Sequence, residues 1–169
     1  SWQTDMSRTA TDSVDVGGWA TSVVTHNDAV YFASIDENND AVVAKKDLNT
    51  STVTSTTVFT NVWDDGHHKL SISVDELGYI HLAGDMHSHD KIRPNNEPNA
   101  KSRELTDGDG QLVEAMEYSW QYWVSDAPED ISSFTFHGST DRRPPGIHVS
   151  YPRFFRDRSG TLYAAFRHR

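Results

Sequence analysis

Three segments of the sequence repeat one short pattern, and this repeat limits the folds that the chain can adopt. In each segment a turn residue is followed two places later by a β-branched residue or leucine, then by a ring-bearing residue, and at the sixth place by alanine; the segments are 28–33, 78–83 and 160–165. In the last two, an aspartate stands three places before the turn glycine. Such an aspartate accepts hydrogen bonds from turn N–H groups, and glycine takes a positive φ. The pattern predicts three β-hairpins.

The first two hairpins each belong to a unit of four strands. Around the first, the sequence predicts strands at Trp19–Val24, Ala29–Ile35, Ala41–Lys46 and Val53–Phe59. Around the second, strands near Ser119–Val124 and Ser132–His137 complete the unit after a polar insertion, 90–115. The turns of the three segments lie 50 and then 82 residues apart, and the extra 32 residues match this insertion. Residues 111–118 are expected to form one short helix or none.

A repeated four-stranded unit predicts an all-β protein with the architecture of a β-propeller. We expect residues 1–169 to be part of a single propeller domain, with one blade at 15–60, one at 64–138 that contains the insertion 90–115, and a half blade at 147–169. This makes about two and a half blades, whereas propellers close with roughly four to eight. The remaining blades are therefore an expected partner, in the same gene product or in a separate chain.

The formal net charge of −10 is distributed unevenly. Residues 142–169 contain seven arginines and one acidic residue, a local charge of +6 that leaves −16 on the first 141 residues. An acidic surface argues against nucleic acid as a partner, whereas local arginines can bind a carboxylate or a sulfate in a cleft. No run of 18 apolar residues suggests a membrane span, and the absence of cysteine excludes disulfides. The N-terminus lacks Met and a signal-peptide pattern, so we expect the chain to begin partway into its gene product.

Four histidines flank the second hairpin and form the first part of a candidate site. Folding the chain about residues 76–77 places His67 roughly opposite His87, and His68 roughly opposite His89 or its neighbour. Crowded imidazoles disfavour one another's charged form, so a neutral ring beside a protonated one can act as a base and an acid. A solvated surface cluster without function is the alternative.

Metal binding is a competing interpretation of the same histidines. His87 and His89 are two residues apart, so on a strand both rings would point to one side. With His67 or His68 they could make a three-histidine zinc site. This interpretation predicts stoichiometric zinc and loss of activity with a chelator. The run Asp-x-Asp-Gly at 107–110 resembles part of a calcium loop, but the later ligands are missing.

The third hairpin contributes the second part of the candidate site. Tyr151 and Arg153 stand at its start and Arg167 near its end, and blade geometry places them on the same rim as the histidines. A base, an acid for the leaving oxygen and a guanidinium that binds a carboxylate are the groups needed to remove a proton next to that carboxylate. Metal-free β-elimination of a uronate polysaccharide needs this set. A purely structural role for Tyr151 and Arg153 is the alternative.

Two parts of the sequence resemble a known family. The motifs are Asp-Asp-Gly-His-His at 64–68, Val-Asp-x-x-Gly-Tyr-Ile-His at 74–81 and Asp-Met-His at 85–87, and Tyr-Pro-Arg-Phe-Phe-Arg-Asp at 151–157 followed by Gly160. They are similar to the BNR-repeat-containing propeller proteins that include bacterial ulvan lyases, and the resemblance spans about residues 15–169. It implies a seven-bladed propeller and endolytic cleavage of ulvan between sulfated rhamnose and a uronic acid. It also implies that histidines act as base and acid, assisted by tyrosine and arginine. Related rhamnosidases and rhamnose–glucuronate lyases share the histidine motif.

Two assignments stay open. Many relatives have Asn where this chain has His68, so one assignment of the base and the acid is His67 with His87. The other is His68 with His89. We favour the second, because the greater separation of its two histidines could span a sugar ring. The arginine that neutralises the carboxylate is one of those in the third hairpin or lies beyond Arg169, in which case Arg153 is only a substrate contact.

The sequence thus predicts a secreted bacterial polysaccharide lyase, extracellular or periplasmic, with ulvan as its anionic substrate. The predicted catalytic residues are His68, His89, His67 and His87, and the predicted substrate-binding residues are Tyr151, Arg153 and Arg167. Catalysis requires no metal or cofactor, while a structural calcium or zinc ion is compatible with it. No nucleic acid and no membrane are expected as partners. The alternatives are a related propeller glycoside hydrolase of the rhamnosidase type and a carbohydrate-binding propeller without catalysis.

Overall fold

The structure, a computed structural model, describes residues 20–60, 62, 69–85, 105–106, 112–113, 121–138 and 149–168. In these ranges the chain forms strands and no helix, which confirms the predicted all-β class. The strands are β1 (Val23–His26), β2 (Ala29–Ile35), β3 (Ala41–Asp47), β4 (Val53–Phe59), β5 (Ser71–Val74), β6 (Ile80–Ala83), β7 (Leu105–Thr106), β8 (Leu112–Val113), β9 (Tyr122–Ser125), β10 (Phe134–Phe136), β11 (Val149–Arg156) and β12 (Leu162–His168). Of the predicted helical stretch 111–118, the described residues 112–113 are in strand β8. No described helix could cross a membrane.

The strands assemble into two four-stranded antiparallel sheets and a hairpin. The first sheet has the order β1-β2-β3-β4, and the second has the order β5-β6-β9-β10, with the short pair β7-β8 inside the insertion. Strands β11 and β12 pair antiparallel with each other. Both sheets are therefore meanders, as the repeat predicts. Their strands lie within the predicted blade limits, which themselves stay a prediction.

Strand β1 differs from its predicted position. The sequence predicts Trp19–Val24, whereas the strand runs from Val23 to His26 and pairs His26 with Ala29. The hairpin closes through the two residues Asn27 and Asp28, and Asn27 has a φ of 48°. Asparagine tolerates this left-handed conformation, so the turn is tighter than apolar alternation alone indicates.

The first strands of successive units lie side by side. The N–H of Ile72 in β5 donates to the carbonyl of Thr21, just before β1, at 2.8 Å. On the other side, the hydroxyl of Ser71 donates to the carbonyl of Pro152 in β11. Inner strands that meet in this way around a common axis define a β-propeller, and the predicted fold class is confirmed. The number of blades in the whole ring stays a prediction.

The turn aspartates behave as the repeat predicts. In the β5–β6 turn, Asp75 Oδ1 accepts the N–H groups of Leu77 at 2.9 Å and Tyr79 at 2.8 Å, and Gly78 has a φ of 91°. The β11–β12 turn repeats this geometry, with Gly160 at a φ of 88°. These two glycines allow a backbone conformation that side chains disfavour.

A third turn of this type was not predicted. Between β2 and β3, Asp36 Oδ1 accepts the N–H groups of Asn38 and Asp40, both at 2.9 Å. Asn39 stands in the glycine position with a φ of 61°. A search for glycine alone therefore misses this turn.

The two contacts between neighbouring blades differ in composition. Between the first and second sheets, a large apolar core contains Tyr31, Val43, Ile72, Ile80 and Leu82, none of them exposed. Between the second sheet and the β11–β12 hairpin, the buried cluster is small and is described below with the polar residues beside it.

Candidate functional site

The four histidines predicted as catalytic, His67, His68, His87 and His89, lie outside the described residues. The hairpin between them is described, and it pairs residues from Ser71 with Ala83 to Val74 with Ile80. This register is centred on residue 77. By count along the chain, His67 and His87 each stand four residues beyond the Ser71–Ala83 pair, whereas His68 and His89 stand three and six residues beyond it.

The described ends of this hairpin hold two buried charged residues, Lys69 and Asp85. Gly84, the residue before Asp85, approaches the opposite segment very closely. A Cβ atom added to Gly84 would lie 2.6 Å from the carbonyl oxygen of Lys69. The two chain segments that lead toward the histidine positions are therefore in tight contact where they leave the sheet. Lys69 has no role in the sequence predictions, and Asp85 enters them only as part of the Asp-Met-His motif, because the burial of both residues is a property of this close packing.

Tyr151 and Arg167, two of the residues predicted to bind substrate, lie together. The guanidinium carbon of Arg167 is 4.5 Å from the centroid of the Tyr151 ring. The pairing of Ser150 with Arg167 across the hairpin sets this neighbourhood. Such a cation–π contact attracts the guanidinium to the ring, and a guanidinium is a group that can bind a carboxylate or a sulfate.

Arg153 lies two residues beyond Tyr151 on the same strand. It pairs with Ala165 and is exposed, while its neighbours Pro152 and Phe154 are buried against the second sheet. Side chains alternate along a strand, so Arg153 occupies the opposite face of the hairpin from Phe154. Cross-strand partners share a face, as do residues two apart, so Arg153 lies on the same face of the hairpin as Ala165 and Arg167.

A second polar cluster lies between the second sheet and the third hairpin. The imidazole of His81 contacts the Tyr122 hydroxyl through Nδ1 at 2.6 Å and Asp75 Oδ2 through Nε2 at 3.2 Å. Since the Asp75 carboxylate only accepts hydrogen bonds, a neutral His81 donates from Nε2 and accepts the Tyr122 proton at Nδ1. Phe154 packs on both rings, at 6.2 Å from His81 and 6.3 Å from Tyr122.

These residues line a cleft of about 440 Å³ that the two aspartate turns flank. Burial lowers the pKa of His81; Asp75 opposes this effect, and the charges of Arg156 and His137 add to it. Burial, with a smaller contribution from Asp75, raises the pKa of the Tyr122 hydroxyl. The cluster therefore favours a neutral imidazole and a protonated tyrosine.

The repeat explains this cluster. His81 occupies the ring-bearing place of the pattern, and its Nε2 contacts the second oxygen of the turn aspartate. In the third hairpin, Tyr163 occupies the same place and its hydroxyl donates to Asp157 Oδ2 at 3.2 Å. The ring-to-aspartate contact thus recurs in two hairpins and ties strand to turn. Sequence reasoning recorded both elements of the pattern without connecting them.

No metal centre is apparent in the part of the chain that the structure describes: it contains no group of three or more histidine, aspartate or glutamate side chains suited to an ion. The predicted three-histidine set and the acidic run at 107–110 lie outside those residues. A structural calcium or zinc ion stays a prediction.

Comparison with known proteins identifies the family. Residues 29–169 match the family described as BNR repeat-containing family member, so the chain belongs to the BNR repeat-containing family. This confirms the resemblance seen in the sequence. A search of the curated proteins found no match.

Solved structures of polysaccharide lyases have a similar fold. A PL25 ulvan lyase bound to -[GlcA(1-4)Rha3S]- matches with 17% identity and a TM-score of 0.58, over 92% of this chain and 34% of that chain. A second structure of a PL25 ulvan lyase matches with 18% identity and a TM-score of 0.57, over 88% and 32%. The polysaccharide lyase Uly1 matches with 15% identity and a TM-score of 0.64, over 92% and 37%. The chain spans about a third of the length of these proteins, and the likeness establishes the fold.

The lowered pKa of His81 predicts a loss of stability in acid. Because the unfolded chain has the ordinary value of 6.5, it binds more protons than the folded chain just below that pH. The free energy of unfolding should therefore be highest above pH 6.5 and fall as the pH drops toward the lowered value. His81→Gln, whose amide does not titrate, should reduce this slope in urea denaturation measured from pH 7.5 to 5. An unchanged slope would contradict the assignment.

Proposed function

We propose that the protein is a polysaccharide lyase that cleaves ulvan, a polymer of sulfated rhamnose and uronic acid, by β-elimination. The observation that carries this proposal is the stack of Arg167 on Tyr151, 4.5 Å apart, at the start of the third hairpin. The similarity in fold to polysaccharide lyases, two of which are ulvan lyases, supports it. Family membership supports the same reaction class.

The chemistry requires a cation at the carboxylate of the uronate. In the proposed reaction, Arg167 binds this carboxylate through two N–H groups and stabilises the negative charge that develops as the neighbouring C–H bond breaks. A base removes that proton, the electron pair forms a carbon–carbon double bond, and the bond to the leaving sugar oxygen breaks. An acid then protonates the leaving oxygen. Tyr151 assists in this proton transfer, and Arg153 contacts the polymer.

Histidines from the two ends of the β5–β6 hairpin supply the base and the acid in this proposal. Both pairings, His67 with His87 and His68 with His89, fit the motif. The described register favours His67 with His87, because these two stand at equal distances beyond the Ser71–Ala83 pair. This support runs against our sequence preference for His68 with His89.

Charge and polymer size suggest where the enzyme works. A polyanionic substrate complements the arginine-rich hairpin far better than the acidic remainder of the chain. Because a polysaccharide is met outside the cell, we propose that the protein is secreted. The remaining blades would complete the groove, and no cofactor takes part in the elimination.

The reaction class can be tested with one assay. Elimination creates an unsaturated uronate that absorbs in the ultraviolet, so the whole protein incubated with ulvan should produce rising absorbance together with new reducing ends. Reducing ends without absorbance would indicate a hydrolase, and neither signal would indicate a binding propeller. Either of these results would refute the proposed function.

Arg167→Ala should lower kcat/KM on ulvan by about 10²- to 10³-fold, as expected when a group that stabilises developing charge is lost. Arg167→Lys should recover only part of this loss, since an ammonium cannot bind a carboxylate bidentately. Arg158→Ala is the matched control, because Arg158 is an exposed arginine at the opposite end of the same hairpin. Equal activities of Arg167→Ala and Arg158→Ala would contradict the role of Arg167.

Single alanine variants at the four histidines should separate the two pairings. Loss of a general acid or base typically lowers the rate by about 10²- to 10⁴-fold. We expect the largest losses of kcat for His67→Ala and His87→Ala, with the fold retained by circular dichroism. Larger losses at His68 and His89 would select the other pairing, and near-normal turnover of all four variants would exclude the hairpin mouth as the site.

A further inference from the structure

The buried hydroxyl of Ser71 connects three blades. Ser71 is the first residue of β5 and has no exposed surface. Its Oγ accepts the N–H of Thr21 at 3.2 Å and donates to the carbonyl of Pro152. A serine hydroxyl has a single proton, and here the Pro152 carbonyl receives it. Ser71 is thus a link between the first strands of the first, second and third units.

The carbonyl that Ser71 holds lies inside a β-bulge. Between the pairs Ser150–Arg167 and Arg153–Ala165, strand β11 advances by three residues while β12 advances by two. The additional residue interrupts the ladder, so this part of the strand loses cross-strand support. Proline also has no N–H group with which to join the ladder. The Ser71 hydroxyl supplies a hydrogen bond from the neighbouring blade at this point.

The bulge sets the unusual backbone of Tyr151. This residue has a φ of 56°, in the left-handed region that aromatic residues rarely occupy. A residue that precedes proline is normally extended, which makes this conformation still less favourable. Such strain persists only where the surroundings hold it in place. The contact between Ser71 and Pro152, one residue further along, is in a position to do so.

We propose that Ser71 is a positioning residue of the candidate active site: its hydroxyl holds the bulge and thereby fixes Tyr151 under Arg167. Ser71 also begins the strand that follows His67 and His68 in the sequence, four and three residues later. The Ser71 side chain therefore connects the β5–β6 hairpin to the Tyr151–Arg167 pair. This inference rests on the proposed lyase function for its effect on catalysis and on geometry alone for its effect on the bulge.

Two readouts on Ser71→Ala in the whole protein test the proposal. A small displacement of reacting groups can lower a rate about 10²-fold, so we expect kcat on ulvan to fall by about 10- to 100-fold with a smaller change in KM. Amide hydrogen exchange over residues 149–156 should become several-fold faster, since the bulge loses its hydrogen bond. Ser71→Thr, which keeps the hydroxyl, should restore both.

Ser22→Ala is the matched control. The Ser22 hydroxyl is also buried between blades and donates to the carbonyl of Leu70 at 3.3 Å, away from Pro152. This variant should lose a similar amount of thermal stability while keeping its activity and its exchange over 149–156. If Ser71→Ala does not fold, Ser71→Cys, with a weaker donor, takes its place with the same readouts.

Provided that the wild type cleaves ulvan, the proposal is overturned if Ser71→Ala matches Ser22→Ala in kcat; it is also overturned if exchange over 149–156 is unchanged. The two readouts also separate this inference from the proposed function. A wild-type protein that does not cleave ulvan would refute the lyase function, and faster exchange in Ser71→Ala would then still support the hold of Ser71 on the bulge.

Discussion

The inner edge of strand β5 must find hydrogen-bond partners outside its own sheet, and the arrangement of the blades follows from this requirement. An edge strand presents unpaired N–H and C=O groups, which are costly to bury without partners. Here the N–H of Ile72 uses the carbonyl of Thr21 from the preceding unit, and the hydroxyl of Ser71 uses the carbonyl of Pro152 from the following one. Neighbouring blades thus satisfy the edge that faces the axis. The second blade therefore depends on both neighbours for these hydrogen bonds.

The second sheet contacts its two neighbours along two interfaces, or seams, which differ in composition. The seam with the first sheet buries large apolar residues. Glu129 lies beside it: its carbonyl accepts a hydrogen bond from the Lys45 ammonium at 2.7 Å, and its carboxylate lies 3.4 Å from the His26 ring. The seam with the third hairpin buries little apolar surface and contains the His81 cluster beside a cleft. Polar networks depend on geometry more strictly than apolar packing does. The third hairpin is therefore held in place by a few directed contacts, and the Tyr151–Arg167 pair belongs to that hairpin.

Much of the fold could be predicted because its signals are local. Alternation and turn residues locate most strands, and the turn glycines Gly78 and Gly160 mark two hairpins directly. The connection between the strands predicted at 29–35 and 41–46 was located, but its aspartate turn was not recognised, because Asn39 stands where the other two turns have glycine. The stack of Tyr151 with Arg167 could be anticipated as a shared rim position. The bulge that creates it could not, because a bulge depends on which residues pair across strands and not on the composition of one strand.

The local charge of the third hairpin decides how an acidic protein can engage a polyanion. The whole chain carries −10, which taken alone would repel ulvan, yet residues 142–169 carry +6. At physiological ionic strength, interactions between exposed charges fade over about 8 Å, so a sugar at the hairpin experiences the nearby guanidinium groups and little of the distant carboxylates. Within that range, the ring of Tyr151 lies 4.5 Å from one of these guanidinium groups, that of Arg167. The hairpin therefore combines local attraction with a guanidinium placed beside an aromatic ring, and the proposed elimination requires such a cation at the carboxylate of the substrate.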